Sequence, residues 1–182
     1  GDDAWTRLDA RLTEPSDLAI TESAVVVTQR AEGVTTSVSG PLGENTFEVW
    51  TTPCVPSLSG GTLSAGGGSL WLKCPTGTAA EFYYSIDDGR SWEFADVPGS
   101  VPPNIASVVA ARTADEAVVA LPGEIRTAAR GSGSDDPEMV DELGEPVYAG
   151  FTTPDVGYVL DRSGRLFRTT DGGDTWNLVP VD

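Results

Sequence analysis

Ser85-Ile86-Asp87-Asp88-Gly89-Arg90-Ser91-Trp92 returns 84 residues later as Thr169-Thr170-Asp171-Gly172-Gly173-Asp174-Thr175-Trp176. Both copies read S/T-x-D-x-G-x-S/T-W, and the offset holds without a gap across the whole motif, so the chain carries a duplicated unit. The residue types suit a tight turn. Asp87 and Asp171 can fold their carboxylates onto turn N–H groups, Gly89 and Gly173 can take positive φ, and the Ser and Thr hydroxyls can close the turn locally. Trp92 and Trp176 supply large apolar surfaces to pack over the hairpin. A carboxylate that accepts several N–H bonds is better suited to holding a turn than to acting as a base. Two carboxylates 84 residues apart also fall short of the roughly six to eight oxygen ligands that calcium takes.

Around the motifs run short apolar or β-branched segments separated by Gly, Pro, Ser and Asp, the pattern of short strands. They form four sets. The first is Leu18 to Ile20, Ala24 to Gln29, Thr35 to Ser39 and Phe47 to Thr51; the second is Gly61 to Ala65, Ser69 to Cys74, Glu81 to Ser85 and Trp92 to Val97. The third is Ala106 to Ala111, Ala117 to Leu121, Ile125 to Ala129 and a weak Met139 to Leu143; the fourth is Val147 to Phe151, Gly157 to Asp161, Leu166 to Thr170 and Trp176 to Val181.

The aromatics Trp5, Phe47, Trp92 and Trp176, which open outer strands, are separated by 42, 45 and 84 residues, and 84 is twice 42. The missing copy belongs 42 residues before the last one. There Ile125-Arg126-Thr127 matches Phe167-Arg168-Thr169 and Gly131 lies under Gly173, but Ala129 replaces the Asp and Ser134 the Trp. This is a decayed copy, followed by a polar insertion at 131–137 with the composition of a mobile loop. Ala110 to Ala120 favours helix by composition, yet the repeat register makes it strand. The units span about 16–52, 61–97, 105–143 and 147–182, and residues 4–9 form an orphan outer strand.

The motif resembles the Asp box, or BNR repeat, of sialidases, sortilin-type receptors and photosystem-assembly-type propellers. The last group shares the form Thr-Thr-Asp-Gly-Gly-x-Thr-Trp. The resemblance covers two intact copies and two degenerate ones, and the remaining strands share only the spacing. It implies an all-β fold: a β-propeller-type array of about four four-stranded antiparallel blades, either a partial ring of a longer propeller or an array whose extra strand pairs between subunits of a homo-oligomer. It also implies a structural role for Ser85, Asp87, Gly89 and Trp92 and for Thr169, Asp171, Gly173 and Trp176, each motif being the turn between the third and fourth strands of a blade.

On that blade plan, with strands a to d running outward from the axis, the c–d turns lie on one face and the d–a and b–c connections on the other. Cys54 falls in a d–a connection and Cys74 at the end of a b strand, so both reach the face opposite the motifs. A disulfide is expected there, with two buried thiols as the alternative. Pairing would place the chain in an extracellular, periplasmic or cell-surface setting, which includes a lipoprotein whose leader has been removed. Ligands of propellers normally meet the d–a and b–c loops, where Arg30, Glu32, Trp50, Lys73, Asp161 and Arg162 are the candidates.

Composition narrows the chemistry. With 28 acidic and 11 basic residues the chain carries a charge of −17, which disfavours nucleic acid and anionic membrane surfaces as partners. The absence of histidine excludes imidazole catalysis and histidine metal sites, and two cysteines cannot build a zinc site of four protein N/S ligands. No apolar run is long enough to span a membrane directly.

The only lysine, Lys73, invites a Schiff-base reading, but no neighbouring feature of the sequence lowers its pKa. Adjacent carboxylates at Asp87/Asp88 and Asp135/Asp136 point apart and do not flank a glycosidic bond. A sialidase-type site needs an arginine cluster, a Tyr/Glu pair and an acid, and no Phe/Tyr-Arg-Ile-Pro segment is present. The expected function is therefore a non-catalytic binding or scaffold module that needs no cofactor or metal and has a protein or glycan partner. The alternatives are a carbohydrate-active enzyme or glycan-binding protein, and an assembly factor for a membrane complex.

Overall fold

A computed structural model of the chain describes residues 12–55, 61–102, 105–131 and 136–180. The orphan strand at 4–9 and most of the insertion, 132–135, lie outside the described residues. The rest is all-β. Four antiparallel sheets of four strands follow one another along the chain, each with its strands paired in sequence order.

Blade 1 contains β1 (Pro15–Ile20), β2 (Ala24–Ala31), β3 (Val34–Pro41) and β4 (Glu48–Thr51). Blade 2 contains β5 (Thr62–Gly66), β6 (Ser69–Pro75), β7 (Ala80–Ser85) and β8 (Glu93–Ala95). Blade 3 contains β9 (Val108–Ala111), β10 (Glu116–Leu121), β11 (Glu124–Ala129) and β12 (Glu138–Met139). Blade 4 contains β13 (Pro146–Phe151), β14 (Gly157–Asp161), β15 (Leu166–Thr169) and β16 (Asn177–Leu178). The strands β1, β5, β9 and β13 stand next to one another in that order. All four contribute to the wall of one axial channel.

A period of two along each strand sends alternate side chains to the two neighbouring blades. Trp71, Phe82 and Tyr84 of blade 2 face Val109, Ala111, Ala117 and Val119 of blade 3. Large residues on one blade meet small ones on the next, so the sheets can approach closely. This explains why the alanine-rich stretch is strand: its weak helix preference yields to the burial of aromatic side chains, each worth about 1.5–3 kcal/mol. The opposite face of blade 3, with Ala110, Val118 and Ala120, packs on Val159 and Phe167 of blade 4. Glycine permits the close approach at one turn. A Cβ at Gly66 would lie 2.6 Å from the carbonyl oxygen of Ala111.

Blade 3 departs from the expectation at its outer edge. Of the segment Met139 to Leu143 only Met139 is in a strand; Val140 and Leu143 are buried in a turn in which Leu143 N–H donates to Val140 O at 2.8 Å. The apolar pattern there reports burial against blade 4 rather than strand pairing. With β12 so short, the end of β11 takes a partner from the preceding blade, Ala129 N–H donating to Asp96 O at 3.2 Å. The motif tryptophans also sit one residue before their strands, since β8 begins at Glu93 and β16 at Asn177.

Candidate functional site

The two motif turns are closed by the same pattern of hydrogen bonds. Ser85 Oγ donates to Asp87 Oδ1 at 2.8 Å and accepts Gly89 N–H at 2.9 Å, while Asp87 takes Ser91 N–H at 2.9 Å and Ser91 Oγ at 2.6 Å. In the second copy Thr169 Oγ1 donates to Asp171 Oδ1 at 2.6 Å and accepts Gly173 N–H at 2.9 Å, and Asp171 takes Thr175 N–H at 3.0 Å and Thr175 Oγ1 at 2.6 Å. For Asp87, burial alone would raise the pKa, but the Ser91 and Ser85 hydrogen bonds outweigh it and hold the carboxyl below its usual range. Hydrogen bonds from Thr169 and Thr175 take Asp171 down to about 2. Both carboxylates hold turns and are poor proton acceptors. Trp176 Nε1 donates to Gly173 O at 3.1 Å, closing the second turn.

The faces separate as the blade plan requires. Cys54 and Cys74 are disulfide-bonded, with their Cα atoms 5.0 Å apart, at the d–a and b–c end of blade 2. Of the six loop-face candidates only Asp161 and Arg162 border one cavity; the other four lie apart from them. Arg30 and Glu32 lie at the β2–β3 turn, where Glu32 is exposed. Trp50 is no loop residue: it stands in β4 opposite Ser37, with the Arg90 guanidinium 5.8 Å from its ring, between blades 1 and 2. Lys73 sends its Nζ inward to donate to Ser107 O at 2.9 Å. Arg162 is exposed and pairs with Glu145 at 2.8 Å.

Asp161 differs most from a ligand-facing residue. Its side chain is fully buried. Oδ1 accepts Ser163 N–H at 2.9 Å, Ser163 Oγ at 2.7 Å and Arg165 N–H at 2.9 Å. Oδ2 accepts Gly144 N–H at 3.1 Å and two guanidinium contacts from Arg165, each at 2.8 Å. Burial would raise its pKa, but these donors drive it far below the carboxylate range. It clasps the β14–β15 turn much as Asp87 clasps the β7–β8 turn.

A Tyr/Glu/Arg grouping does form, between blades 2 and 3. Tyr84 OH bonds the Glu93 carboxylate, and Arg130 Nε donates to Tyr84 OH at 3.0 Å. Burial and the Glu93 bond raise the Tyr84 pKa, the opposite of what a phenolate nucleophile needs, and its ring is in the core. Among the described residues no group of three or more Cys, Asp or Glu could hold a metal ion.

A cavity of about 380 Å³ opens on the d–a and b–c face, between the connection from blade 2 to blade 3 and the β10–β11 turn, with Glu145 from the next connection at its edge. Pro102, Ile105, Leu121 and Pro122 form its apolar wall, and Glu124 and Arg126 its polar one. Arg126 pairs with Glu124 at 2.5 Å and donates to the main-chain oxygens of Pro98 at 3.0 Å and Ser100 at 3.3 Å, which holds its guanidinium against the chain beside the cavity. The cavity lies on the face where the sequence leads one to expect ligands, but none of the six candidates lines it. Arg126 was visible only as part of the decayed motif, and no local pattern links Ile105 to Leu121.

Neither a protein-family model nor a curated protein sequence matches the chain. Solved structures do resemble it. The computationally designed Ika4 protein is 13% identical over 91% of this chain and 96% of that one, with a TM-score of 0.57. YCF48 bound to D1 peptide is 16% identical with a TM-score of 0.54, and hydrazine synthase of Kuenenia stuttgartiensis is 10% identical with a TM-score of 0.58. This chain covers 57% of the former and 54% of the latter. At such identities the likeness concerns fold: four four-stranded blades in sequence make the chain a β-propeller-type protein.

Proposed function

We propose that the chain is an Asp-box propeller that acts as a non-catalytic recognition module, taking a segment of a partner protein on its d–a and b–c face. The observation that carries this reading is the cavity at the β10–β11 turn. It combines an apolar wall with a polar edge whose Arg126 is already held in place by Glu124 and the oxygens of Pro98 and Ser100. The use of Asp87, Asp161 and Asp171 in turns and the raised Tyr84 pKa favour recognition over hydrolysis. That YCF48 is seen with a bound peptide supports a peptide ligand for this fold. The disulfide supports an extracellular or cell-envelope setting.

Selection of random peptides on the immobilised protein tests the reading. Selected peptides should lose binding to Ile105→Glu, a change at an exposed cavity residue that leaves the melting temperature in place. Peptides that bind this variant as well as the parent, or turnover of glycosides by the parent protein, would overturn the proposal.

A further inference from the structure

Lys73 is the only lysine of the chain. Its partly buried ammonium donates to Ser107 O at 2.9 Å, and the five ion pairs among the described residues all involve arginine. An amine withdrawn from water with no carboxylate partner among the described residues is unfavourable, and burial pulls its pKa down. Beside it, Ser107 Oγ is buried and has no hydrogen-bond partner. An ammonium whose one bond is to a main-chain oxygen and a hydroxyl with no partner thus meet at one place.

That place adjoins the axial channel, whose lining residues neighbour Lys73 and Ser107 without including them. Thr62, opposite Lys73 in the sheet, lines the channel, and so does Val108, which follows Ser107. The channel encloses about 300 Å³. Its wall is largely apolar, with Leu18, Val147 and Tyr148 left 56%, 47% and 58% exposed. Asp17 is the one carboxylate of the wall, and it is engaged: Oδ1 accepts Leu18 N–H at 2.8 Å and Oδ2 accepts Leu63 N–H at 2.7 Å.

We infer that the axial channel is a second binding site, for a small amphiphilic monocarboxylate whose carboxylate is held by Lys73 and Ser107 beside the channel and whose apolar part lies against Leu18, Val147 and Tyr148. The charge of the ligand supplies a counterion that the described residues do not, and its apolar part covers side chains otherwise open to water. A single ammonium with one hydroxyl matches a monoanion, and Asp17 disfavours a ligand of higher negative charge. This site is separate from the cavity at the β10–β11 turn and stands without it.

A sole lysine makes the test direct. Reductive methylation with ¹³C-formaldehyde places an NMR-visible dimethylammonium on Lys73 and on the chain's α-amino group, and it keeps the positive charge. Titration with hexanoate should shift the Lys73 signal saturably while the α-amino signal stays, and hexanamide should bind at least about tenfold more weakly. Lys73→Met should show the same drop for hexanoate in calorimetry without loss of thermal stability. Leu18→Glu, at an exposed wall position, should weaken hexanoate with Lys73 intact. No saturable shift of the Lys73 signal up to about 10 mM, or equal binding of acid and amide, would overturn the site; the wild-type titration decides even where a variant fails to fold.

Discussion

Replacing Asp161 by Asn tests whether the buried carboxylate is a turn clasp. The amide keeps one acceptor oxygen but turns an NH₂ toward one of two sets of donors: Gly144 N–H with the Arg165 guanidinium, or Ser163 with Arg165 N–H. Losing one charge-assisted bond and leaving a main-chain N–H unpaired each cost about 1–3 kcal/mol, and Arg165, 42% exposed, recovers part of its loss from water. The net expectation is about 3 kcal/mol, or a fall of about 6–12 °C in melting temperature for a chain of this size. Differential scanning calorimetry at pH 7 measures it, with the exposed Asp174→Asn as the control. The pH dependence supplies an independent check. Because the folded-state pKa is depressed, the contribution of Asp161 is complete above the unfolded value near 4 and is lost as pH falls below it. The variant should therefore show a flatter decline in stability below about pH 4 than the parent. A fall of less than about 2 °C, or one equal to that of Asp174→Asn, would refute the clasp and return Asp161 to the candidate ligand residues.

Replacing both Cys54 and Cys74 by Ser opens a loop with a sequence separation of 20 and should lower the unfolding free energy by about 3 kcal/mol in urea titrations. Gly89→Ala should destabilise the protein by about 1–2 kcal/mol in the same assay, since Gly89 has φ of 80° and an added Cβ would lie 3.1 Å from Val26 Cγ1. Burial and the Glu81 hydrogen bond raise the Tyr83 phenol to about 12, so phenolate absorbance at pH 11 should fall short of that of four tyrosines and approach it only after denaturation. Acidification from about pH 4 toward 2 should weaken the native state through Asp87 and Asp171 as well, because both carboxyls are depressed and lose their hydrogen bonds on protonation.

The amino-acid sequence alone determined the unit of the fold. Short-range chemistry was enough, because a motif turn is closed by residues within six positions of one another: Ser85, Asp87, Gly89 and Ser91 satisfy one another wherever the hairpin sits. A second intact copy then made the spacing measurable. What only the tertiary structure decided lies between blades. Position in the repeat puts Trp50 among the loop-face candidates, yet the sheet turns it toward Arg90, which belongs to the next blade. Asp161 carries no recognised motif, and beside its local donors Ser163 and Arg165 it takes one from Gly144, 17 residues away in a different connection. The cavity joins loops from separate units, and the Lys73–Ser107 contact spans 34 residues. Local turn chemistry is written in neighbouring residues and survives as a pattern, whereas burial and desolvation are set by which sheets meet, and Gly89, read first as a turn residue, takes its full constraint from Val26 of the preceding blade.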